Sequence, residues 1–372
     1  MHGLRIGIVT EYYYPHVGGI CEHVHYFARE ARLRGHHVDI ITGRIPGAEP
    51  MPDVIPVGES IPVMANGSMC RFTGGRGLRS TLRSLFRQQN YDVLHAHAPL
   101  APSLPMIAIQ EARCPVVGTF HAYHDWAISY ILGRRYFQQL FDRIDAAIAV
   151  SAAARDAVAK YFRGEWTIIP NGVDTDFFTP TVPPSPAVPD DLPVILFVGR
   201  FDPRNGLGAL IEAFKKLRST GRQARLFIVG DGPRRERYRR LAAGDPLVHF
   251  AGAVPDGLPA YYNAATIYAC PATRGSFGIT LLEAMACGTP VVCYDTPGFR
   301  TLVRHEQQAL LTPPDDIDAL ARALARLLDD EALRRRLGSA GARHAASFAW
   351  PRVAEQVLDV YARLTGAASL AA

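Results

Sequence analysis

The regular alternation of short apolar runs with amphipathic segments is the feature that most constrains how this chain folds. The apolar runs of the first half are "LRIGIV", "HVDIIT", "DVLHAHA", "PVVGTF", "AAIAVS" and "WTIIP". Those of the second half are "VILFVG", "ARLFIVG", "VHFAGA", "TIYACP", "PVVCYD" and "QALLTP". Runs of this length are typical of buried strands, and the helical segments between them predict parallel sheets with right-handed crossovers. We therefore predict an α/β protein of doubly wound, Rossmann-like parallel sheets.

A proline-rich interval, residues 179–193, separates the two series of strands and suits neither a sheet nor a helix. With 372 residues, 48% of them hydrophobic, the chain can form a core on each side of it. We predict one Rossmann-like domain over residues 1–182, a second over 183–347, and a helix in 348–372 that is a candidate to cross back to the first. Because open α/β sheets bind ligands beyond the carboxyl ends of their strands, the two domains are expected to face a central cleft.

Composition and charge exclude several classes of protein. The formal net charge of +5 is small and the charges are interspersed, so nucleic acid is not an expected partner. The N-terminal sequence lacks a cationic start followed by an apolar stretch, and no window approaches about 18 consecutive apolar residues, so neither secretion nor a membrane span is expected. Six cysteines without C-x-x-C spacing are interpreted as reduced and buried. These observations predict a cytoplasmic protein.

Two strand ends in the first half carry candidate site residues. After "RIGIVT", Gly18 and Gly19 allow a tight turn into a helix, although such a pair more often serves chain geometry than ligand contact. The dinucleotide pattern G-x-G-x-x-G is missing there, which disfavours an NAD-dependent oxidoreductase. His121 follows "PVVGTF" at the predicted cleft. His95 and His97 alternate along another strand, but no third ligand with suitable spacing follows, so no metal site is predicted.

The second half repeats this arrangement with residues suited to phosphate. Arg200 lies directly beyond "VILFVG", where a guanidinium can contact phosphate in bidentate fashion; a surface ion pair is the alternative. Gly230 and Gly232 surround the turn after the next strand. The stretch "RGSFGITLLEAMACGTPVV" predicts a helix capped by Ser276 and closed by Gly288, whose positive N-terminal end favours an anion. The three converging loops favour a phosphorylated ligand.

Two patterns on predicted helices have both a functional and a structural interpretation. Glu283 lies at the margin of an otherwise apolar helix, where its carboxylate can accept from ribose hydroxyls or act as an ordinary capping or paired Glu. A basic stripe on "GGRGLRSTLRSLFRQQ" is either a solvated face or a contact for anionic lipid headgroups near the place where an acceptor would enter. The stripe consists of Arg76, Arg79, Arg83 and Arg87.

Together these motifs resemble glycosyltransferase family 4, the retaining nucleotide-sugar transferases of the two-domain GT-B fold. The resembling stretches run in family order over nearly the whole chain: "YYPHVGGICEHV", "TFHAY", "AVSAAARDAV", "IIPNGVDTDFF", "VGRFDPRNGL", "VGDGP" and "SFGITLLEAMACGTPVV". The first and third are most similar to those of the phosphatidylinositol mannosyltransferases and related enzymes of lipid-linked glycan synthesis.

The resemblance implies roles for individual residues. His121 would contact the transferring sugar, Arg200 the diphosphate and Glu283 the ribose, and these three form the implied catalytic group. Gly18 and Gly19 would approach the diphosphate. The other implied donor-binding residues are Asn205, Val254 through its backbone to the base, and the helix-start loop of Phe277, Gly278 and Ile279.

Two positions depart from the family pattern. Asn205 stands where members usually carry a Lys, and Gly275 stands where they carry the first Glu of a pair separated by seven residues. The missing Lys would have offset charge on the leaving diphosphate. Arg204 and Arg274 are candidates to replace that charge.

The resemblance implies transfer of a hexose, such as mannose, from a GDP- or UDP-sugar to a hydroxyl of a lipid or glycan, with retention at the anomeric carbon. The nucleotide sugar is a substrate, and neither a cofactor nor a metal is expected. The expected location is the cytoplasm, with peripheral association at the inner face of the membrane. Two alternatives stay open: a nucleotide-sugar 2-epimerase, and a nucleotide-sugar-binding subunit without turnover, for which Asn205 and Gly275 are the suggestive features.

Overall fold

The protein is described by a computed structural model over residues 3–15, 18–65, 68–121, 128–254 and 256–367. The chain divides into two compact units. The first unit comprises Met1–Gly172 with Trp350–Ala372, and the second comprises Val173–Ala349. Each unit has its own hydrophobic core around its own sheet.

The boundaries between the units differ from the predicted ones at 182/183 and 347/348. The proline-rich interval belongs to the second unit because Asn263 donates from Nδ2 to the carbonyl oxygens of Thr179 and Val182, at 2.9 and 2.7 Å. These bonds satisfy carbonyl groups that have no strand partner. At the other boundary, the Val173 amide donates to the carbonyl of Phe348, which keeps residue 348 in the second unit.

The first unit is built on a sheet whose order over the described residues is β4-β3-β2-β1-β5-β6-β7-β8. Its strands are β1 (Arg5–Val9), β2 (His37–Arg44), β3 (Val54–Ala65), β4 (Ser68–Gly74), β5 (Val93–His97), β6 (Val116–Phe120), β7 (Ala146–Ala149) and β8 (Trp166–Ile168). Its helices up to residue 172 are α1 (Gly19–Leu33), α2 (Leu78–Gln89), α3 (Leu104–Glu111), α4 (Ile128–Leu132), α5 (Arg134–Phe141) and α6 (Ala152–Ala159). The strand order reverses between β1 and β5, which is where such sheets bind ligands.

The pairing of β3 with β4 is antiparallel, in contrast to the parallel pairs of the rest of this sheet. This hairpin could not be predicted from the sequence, because Pro56, Gly58 and Pro62 interrupt its apolar pattern. Gly58 adopts φ 56°, and a Cβ there would lie 2.5 Å from the carbonyl oxygen of Gly74. Glycine is therefore required where the two edge strands meet.

The second unit is a parallel sheet of order β11-β10-β9-β12-β13-β14 over the described residues. Its strands are β9 (Val194–Val198), β10 (Arg225–Val229), β11 (Val248–Gly252), β12 (Ile267–Cys270), β13 (Val291–Tyr294) and β14 (Ala309–Thr312). Its helices are α7 (Leu207–Ser219), α8 (Arg235–Leu241), α9 (Leu258–Ala264), α10 (Ile279–Ala286), α11 (Ile317–Asp329) and α12 (Glu331–Ala345). This is the Rossmann strand order, and it reverses between β9 and β12.

The C-terminal helix α13 (Trp350–Thr365) lies in the first unit and packs against α1. Its buried face includes Trp350, Val357 and Tyr361. A Cβ on Gly172 would lie 2.5 Å from the Trp350 ring, so the ring sits directly on the backbone at the end of the first stretch of this unit. Burying each of these large side chains contributes about 1.5–3 kcal/mol.

Two expectations from composition concern membranes and cysteines. Among the described helices, none combines the length and the apolar character needed to cross a bilayer. Cys21, Cys270, Cys287 and Cys293 are free and buried, whereas Cys114 is free but only half-buried, in contrast to the expectation.

Candidate functional site

The loops that follow β9, β10 and β12 lie side by side at the carboxyl edge of the second sheet, where its strand order reverses. The Thr273 amide, after β12, donates to the carbonyl of Arg204, after β9, at 2.9 Å. A Cβ on Gly230, after β10, would lie 2.0 Å from the carbonyl oxygen of Gly199, after β9. The three loops predicted to converge therefore do so, and glycine lets two of them touch.

Arg200 is held in place by two neighbours of its own loop. Its Nη2 donates to Oδ2 of Asp202 at 2.6 Å, and Asn205 donates from Nδ2 to the Arg200 carbonyl at 2.7 Å. Arg204 lies 3.9 Å from the same Asp202 oxygen. The surface ion pair considered from the sequence is thus formed, but the Arg200 side chain is still 54% exposed. A guanidinium carries five N–H donors, so this pair leaves others available to an anion. Sequence reasoning missed Asp202, although it follows Arg200 by two residues.

Helix α10 begins later than the predicted Ser276 cap. Its N-cap is Gly278, with φ 103° and ψ 57°, and no side chain of the described residues bonds the helix as a cap. A left-handed residue at this point favours glycine, so the prediction for Ser276 was wrong. The first-turn amide groups are consequently not capped by a side chain, and the helix dipole adds to their preference for an anion. The end is as expected, with Gly288 at φ 76° directly after Cys287.

Glu283 is half-buried on α10 and bonded to Tyr262 of α9. The Tyr262 hydroxyl donates to Glu283 Oε2 at 2.8 Å. Burial, followed by the nearby Glu283 charge, raises the pKa of Tyr262 well above its usual value, so the phenol stays a donor. The paired interpretation of Glu283 is therefore realised. A carboxylate accepts several hydrogen bonds, so contact with a ribose is compatible with this pair.

Gly275 leaves no room for the Glu found in relatives of this pattern. A Cβ at this position would lie 2.2 Å from Cε1 of Phe299, whose side chain is 2% exposed. Gly298, next to Phe299, is equally close, since a Cβ there would lie 1.9 Å from the Gly275 carbonyl oxygen. The aromatic ring of Phe299 therefore fills the space beside residue 275. No pattern in the sequence points to Phe299, because it lies in a later part of the chain, at the start of a short 3-10 helix.

The other predicted residues of the second unit are placed as follows. Phe277 is 4% exposed with its ring centroid 6.0 Å from that of Phe348, so its ring supports the α10 loop from inside. Ile279 is half-buried at the first position of α10, and Arg274 is exposed in the loop before it. Val254 lies after β11, two strands from β9 in the sheet.

In the first unit, three histidines from distant parts of the sequence meet at the carboxyl edge of the sheet. His97 ends β5, His121 directly follows β6, and His23 lies on α1. His97 Nδ1 and His121 Nε2 are 2.8 Å apart. The His23 ring centroid lies 5.3 Å from that of His97 and 4.9 Å from that of His121. His23 Nδ1 is 2.8 Å from Oδ1 of Asn171.

These histidines are the side chains of the described residues that could hold a metal ion. One ring nitrogen from each of His23, His97 and His121 lies within 4.8 Å of the other two. In the sequence, His95 alternates with His97 and no third ligand with suitable spacing follows. His23 could not be predicted as a member of this cluster, because only the fold brings α1 beside β5. His95 instead bonds Tyr361 Oη at 2.5 Å and Thr119 Oγ1 at 2.6 Å.

Burial keeps the imidazoles of this cluster neutral. It lowers the pKa of His23 to about 4 and that of His95 to about 3. It also lowers the pKa values of His97 and His121 well below the usual range, and the neighbouring histidines add to this effect. A neutral imidazole has one donor and one acceptor nitrogen, so each ring can relay one hydrogen bond.

Gly18 and Gly19 lie at the start of α1. Gly18 has an extended backbone, with φ 169°, and an added Cβ would meet nothing within 4 Å among the described residues. Neither backbone geometry nor packing therefore requires glycine at residue 18. The preceding residues 16–17 and the end of the motif "TFHAY", residues 122–123, lie outside the described residues.

The basic stripe of α2 is partly neutralised. Arg79 Nη1 and Arg83 Nε lie 2.5 and 2.7 Å from the two carboxylate oxygens of Glu111, on α3. Both arginine side chains are about half-exposed, at 52% and 48%. Arg76 precedes the helix, and Arg87 lies in its last turn. The stripe thus combines ion pairs with a solvated face.

Comparison with known proteins agrees with this geometry. The chain matches Glycosyltransferase Family 4 over residues 17–177 and Glycosyl transferases group 1 over residues 179–344. It is 35% identical to "Phosphatidyl-myo-inositol mannosyltransferase" of Mycobacterium leprae, over 96% of both chains. It is 31% identical to "D-inositol 3-phosphate glycosyltransferase" of Xylanimonas cellulosilytica, over 94% of this chain and 92% of that one. The crystal structure of Anabaena HepE in complex with UDP-glucose superposes with a TM-score of 0.78 at 21% identity, covering 97% of this chain and 100% of the other.

The fold, together with the family matches and these relatives, identifies a GT-B glycosyltransferase that uses a nucleotide sugar. The chain belongs to glycosyltransferase family 4. It is a hexosyltransferase, and neither the epimerase nor the non-catalytic subunit is favoured.

Proposed function

We propose that this glycosyltransferase transfers mannose from a nucleotide diphosphate mannose to a hydroxyl of a phosphatidylinositol-type lipid, with retention at the anomeric carbon. The observation that carries the proposal is the 35% identity to the Mycobacterium leprae mannosyltransferase over 96% of both chains. The loops after β9, β10 and β12 support it, because they present a guanidinium and a helix N-terminus at one sheet edge.

In the proposed reaction, stabilisation of charge on the leaving diphosphate supplies much of the catalysis. Arg200 donates to the diphosphate from the N–H groups that Asp202 does not occupy, and the first-turn amides of α10 donate from the adjacent loop. Removing one preorganised donor of this kind typically costs a factor of about 10²–10³ in kcat. Glu283, already aligned by Tyr262, accepts from the ribose.

Retention is proposed to proceed on one face of the sugar, with the leaving phosphate taking the proton of the acceptor hydroxyl. Two carboxylates on the elements of the candidate site favour this scheme over a protein nucleophile. Asp202 is bonded to Arg200, and Glu283 is bonded to Tyr262, so each already has a positioning partner. His121, in the first unit, is proposed to contact the transferring sugar.

The two departures from the family pattern are accommodated differently. Asn205 bonds the Arg200 carbonyl and so stabilises the loop without adding charge. Arg204, with 47% of its side chain exposed, is the proposed replacement cation. Replacing Arg204 with Ala is expected to reduce turnover, and unchanged turnover would remove Arg204 from this role. Arg274, exposed in the loop before α10, is the second candidate for this role. Arg274→Ala, measured in the same assay, is the matched comparison for Arg204→Ala.

The donor is tested first by thermal unfolding with GDP-mannose, UDP-glucose and ADP-glucose. A ligand at about 100 times its Kd raises stability by about 2.7 kcal/mol, and the largest shift is expected for GDP-mannose. Transfer is then measured with vesicles containing phosphatidylinositol and, separately, with D-inositol 3-phosphate. Transfer to the lipid alone supports the proposal; transfer only to the soluble inositol phosphate would replace the acceptor. Isomerised sugar with donor alone would indicate an epimerase.

We further propose that the protein acts in the cytoplasm, at the inner face of the membrane, through the arginines of α2. Because Arg79 and Arg83 share Glu111, reversing them also disturbs the packing of α2 on α3. The sharper test reverses Arg76 and Arg87 to Glu and measures flotation with anionic vesicles. Reduced flotation of this variant with unchanged thermal stability supports the proposal. Unchanged flotation of this variant and of the variant with Arg79 and Arg83 reversed would refute it.

A further inference from the structure

His97 and His121 are joined by a hydrogen bond, and the surrounding groups determine which ring is the donor and which the acceptor. Both imidazoles are neutral, so one proton lies in the 2.8 Å gap between His97 Nδ1 and His121 Nε2. Either His97 donates from Nδ1, or His121 donates from Nε2. The two arrangements leave opposite groups on the outer nitrogens of both rings.

The buried nitrogen on the far side of His97 distinguishes the two arrangements. His97 is 1% exposed, and its Nε2 has no hydrogen-bond partner among the described residues. If His121 were the donor, this Nε2 would carry an N–H with no acceptor. If His97 is the donor, Nε2 is a lone pair instead. Buried N–H groups without partners are rarer in proteins than under-satisfied acceptors, which favours His97 as the donor.

The groups around the pair are fixed and uncharged. His23 stands edge-on to both rings and bonds Asn171 through Nδ1, and its Nε2 likewise has no partner in the described part of the chain. His95 lies behind His97, with ring centroids 4.4 Å apart, and has both nitrogens bonded. These are the titratable groups that face the pair from α1 and β5 in the described residues.

A bound metal ion is the rival explanation for the unpartnered nitrogens. Two nitrogens that ligate one tetrahedral zinc ion at 2.0–2.1 Å lie about 3.3 Å apart. The 2.8 Å separation of His97 Nδ1 and His121 Nε2 is that of a hydrogen bond. The cluster also contains no carboxylate among the described residues to offset the charge of an ion. The geometry therefore favours a proton between the two rings.

We propose that His97 is a positioning residue that holds His121 as the Nδ1–H tautomer, so that His121 offers a hydrogen-bond donor to the sugar being transferred. This inference rests on the proposed function, in which His121 contacts that sugar. A neutral N–H donor at this point can bind a sugar hydroxyl or ring oxygen without carrying a charge of its own.

Three substitutions of His97 separate the donated hydrogen bond from simple packing. His97→Asn keeps an amide N–H near the position of Nδ1, His97→Gln moves that group toward the position of Nε2, and His97→Leu removes it. His97→Asn is expected to stay within about threefold of wild-type kcat, whereas His97→Gln and His97→Leu fall by about fivefold to a hundredfold. The KM for the donor is expected to change little, because the diphosphate contacts are unaltered.

Nitrogen NMR of histidine-labelled protein measures the tautomer directly, with His121→Asn used to assign the signals. His121 is expected to show a protonated Nδ1 and a bare Nε2 between about pH 6 and pH 8. In His97→Leu a mixture of tautomers is expected. This measurement needs no turnover, so it decides the inference even if the proposed function fails and no donor is transferred.

Each remaining outcome decides the proposal. An Nε2–H tautomer of His121 in the wild type overturns the proposal. If the Nδ1–H tautomer is found, equal activity of His97→Asn and His97→Gln overturns the positioning role of His97. Elemental analysis that finds a stoichiometric metal, lost from His23→Leu and His97→Leu, overturns it in favour of a metal site. If His121 shows the expected tautomer but kcat is unchanged in all three His97 variants, only the positioning role of His97 is overturned.

Discussion

Replacing Gly275 with Ala tests whether the Phe299 ring excludes a side chain at this point of the site loop. Gly275 is not among the glycines with left-handed φ, so a left-handed backbone does not require glycine there. On conformational grounds alone, such a change stabilises a protein by about 0.4–1 kcal/mol through the unfolded state. Packing opposes this, because the new Cβ would lie 2.2 Å from Cε1 of the buried Phe299 ring.

The magnitude follows from the two opposing effects. Forcing an extra methyl group into a well-packed region costs about 1–3 kcal/mol. The net effect is a destabilisation of up to about 2.6 kcal/mol, with a central value of about 1.3 kcal/mol. The central value lowers the Tm of a unit of this size by about 3–5 °C. Restoring the family Glu at residue 275 is expected to destabilise at least as much. Adding the carboxylate alone therefore does not recreate the family site, because the ring has to move as well.

The assay is calorimetric unfolding of the full chain, with tryptophan emission as a second probe. All three tryptophans lie outside residues 173–349, so their emission follows the first unit while calorimetry follows both. Gly275→Ala is expected to shift the transition that is silent in tryptophan emission. The matched control is Gly208→Ala in α7, where the added Cβ would lie 3.5 Å from Tyr238. This control is expected to stabilise the same unit by about 0.4–1 kcal/mol.

A double variant identifies the ring as the cause. Gly275→Ala combined with Phe299→Leu is expected to be less destabilised than the sum of the two single changes, by about 0.5–3 kcal/mol. The reasoning is refuted if Gly275→Ala raises the Tm as Gly208→Ala does. It is also refuted if the two changes at residues 275 and 299 are additive.

Three further predictions concern the two units separately. Arg200→Ala is expected to lower kcat by a factor of about 10²–10³. The Tm is expected to stay nearly unchanged, because a half-exposed ion pair contributes under about 1 kcal/mol to stability. Steady-state kinetics and calorimetry measure the two effects, and an unaltered kcat contradicts the prediction. Tyr262→Phe removes the donor to Glu283 and is expected to raise the donor KM and destabilise the second unit by about 1–3 kcal/mol; an unchanged KM would separate Glu283 from ribose binding. Acid is expected to destabilise the first unit, because burial lowers the pKa of His23 to about 4 and that of His95 to about 3, and unfolding lets each bind a proton. The contribution of these histidines to the free energy of unfolding is therefore fully present above about pH 6.5. It falls by about 1.4 kcal/mol per pH unit for each histidine as the pH drops toward 4. Urea unfolding monitored by tryptophan emission measures this slope, and His95→Gln should reduce it.

The sequence predicts the architecture well because buried parallel strands leave a strong local pattern. The order of apolar runs and helices is sufficient to infer two doubly wound sheets, and the loops after β9, β10 and β12 converge as expected. The hairpin of β3 and β4 was not predicted, because edge strands tolerate proline and glycine, which interrupt the apolar pattern of a strand. The unit boundary was misplaced because proline content marks irregular backbone, whereas Asn263 decides which unit that backbone belongs to.

The candidate site is less predictable, because its geometry depends on contacts between distant residues. Arg200 and Glu283 are placed on site elements by local patterns, but their partners Asp202 and Tyr262 are visible only in the structure. The cap of α10 was misassigned because a Ser hydroxyl is a good cap on average, while here the turn takes a left-handed Gly278 instead. His23 had no sequence signal beyond its position four residues after Gly19.

The C-terminal helix α13 also has a consequence for how the protein is made. Synthesis starts at the N-terminus, and domains commonly fold as they leave the ribosome. The first unit nevertheless lacks Trp350 and Tyr361, including the hydroxyl that bonds His95, until the last part of the chain is translated. The second unit is continuous in sequence and can finish folding before then. The half of the protein that is translated first is thus the last to be completed, so a released chain truncated after residue 349 would hold one finished domain and one still open to chaperones.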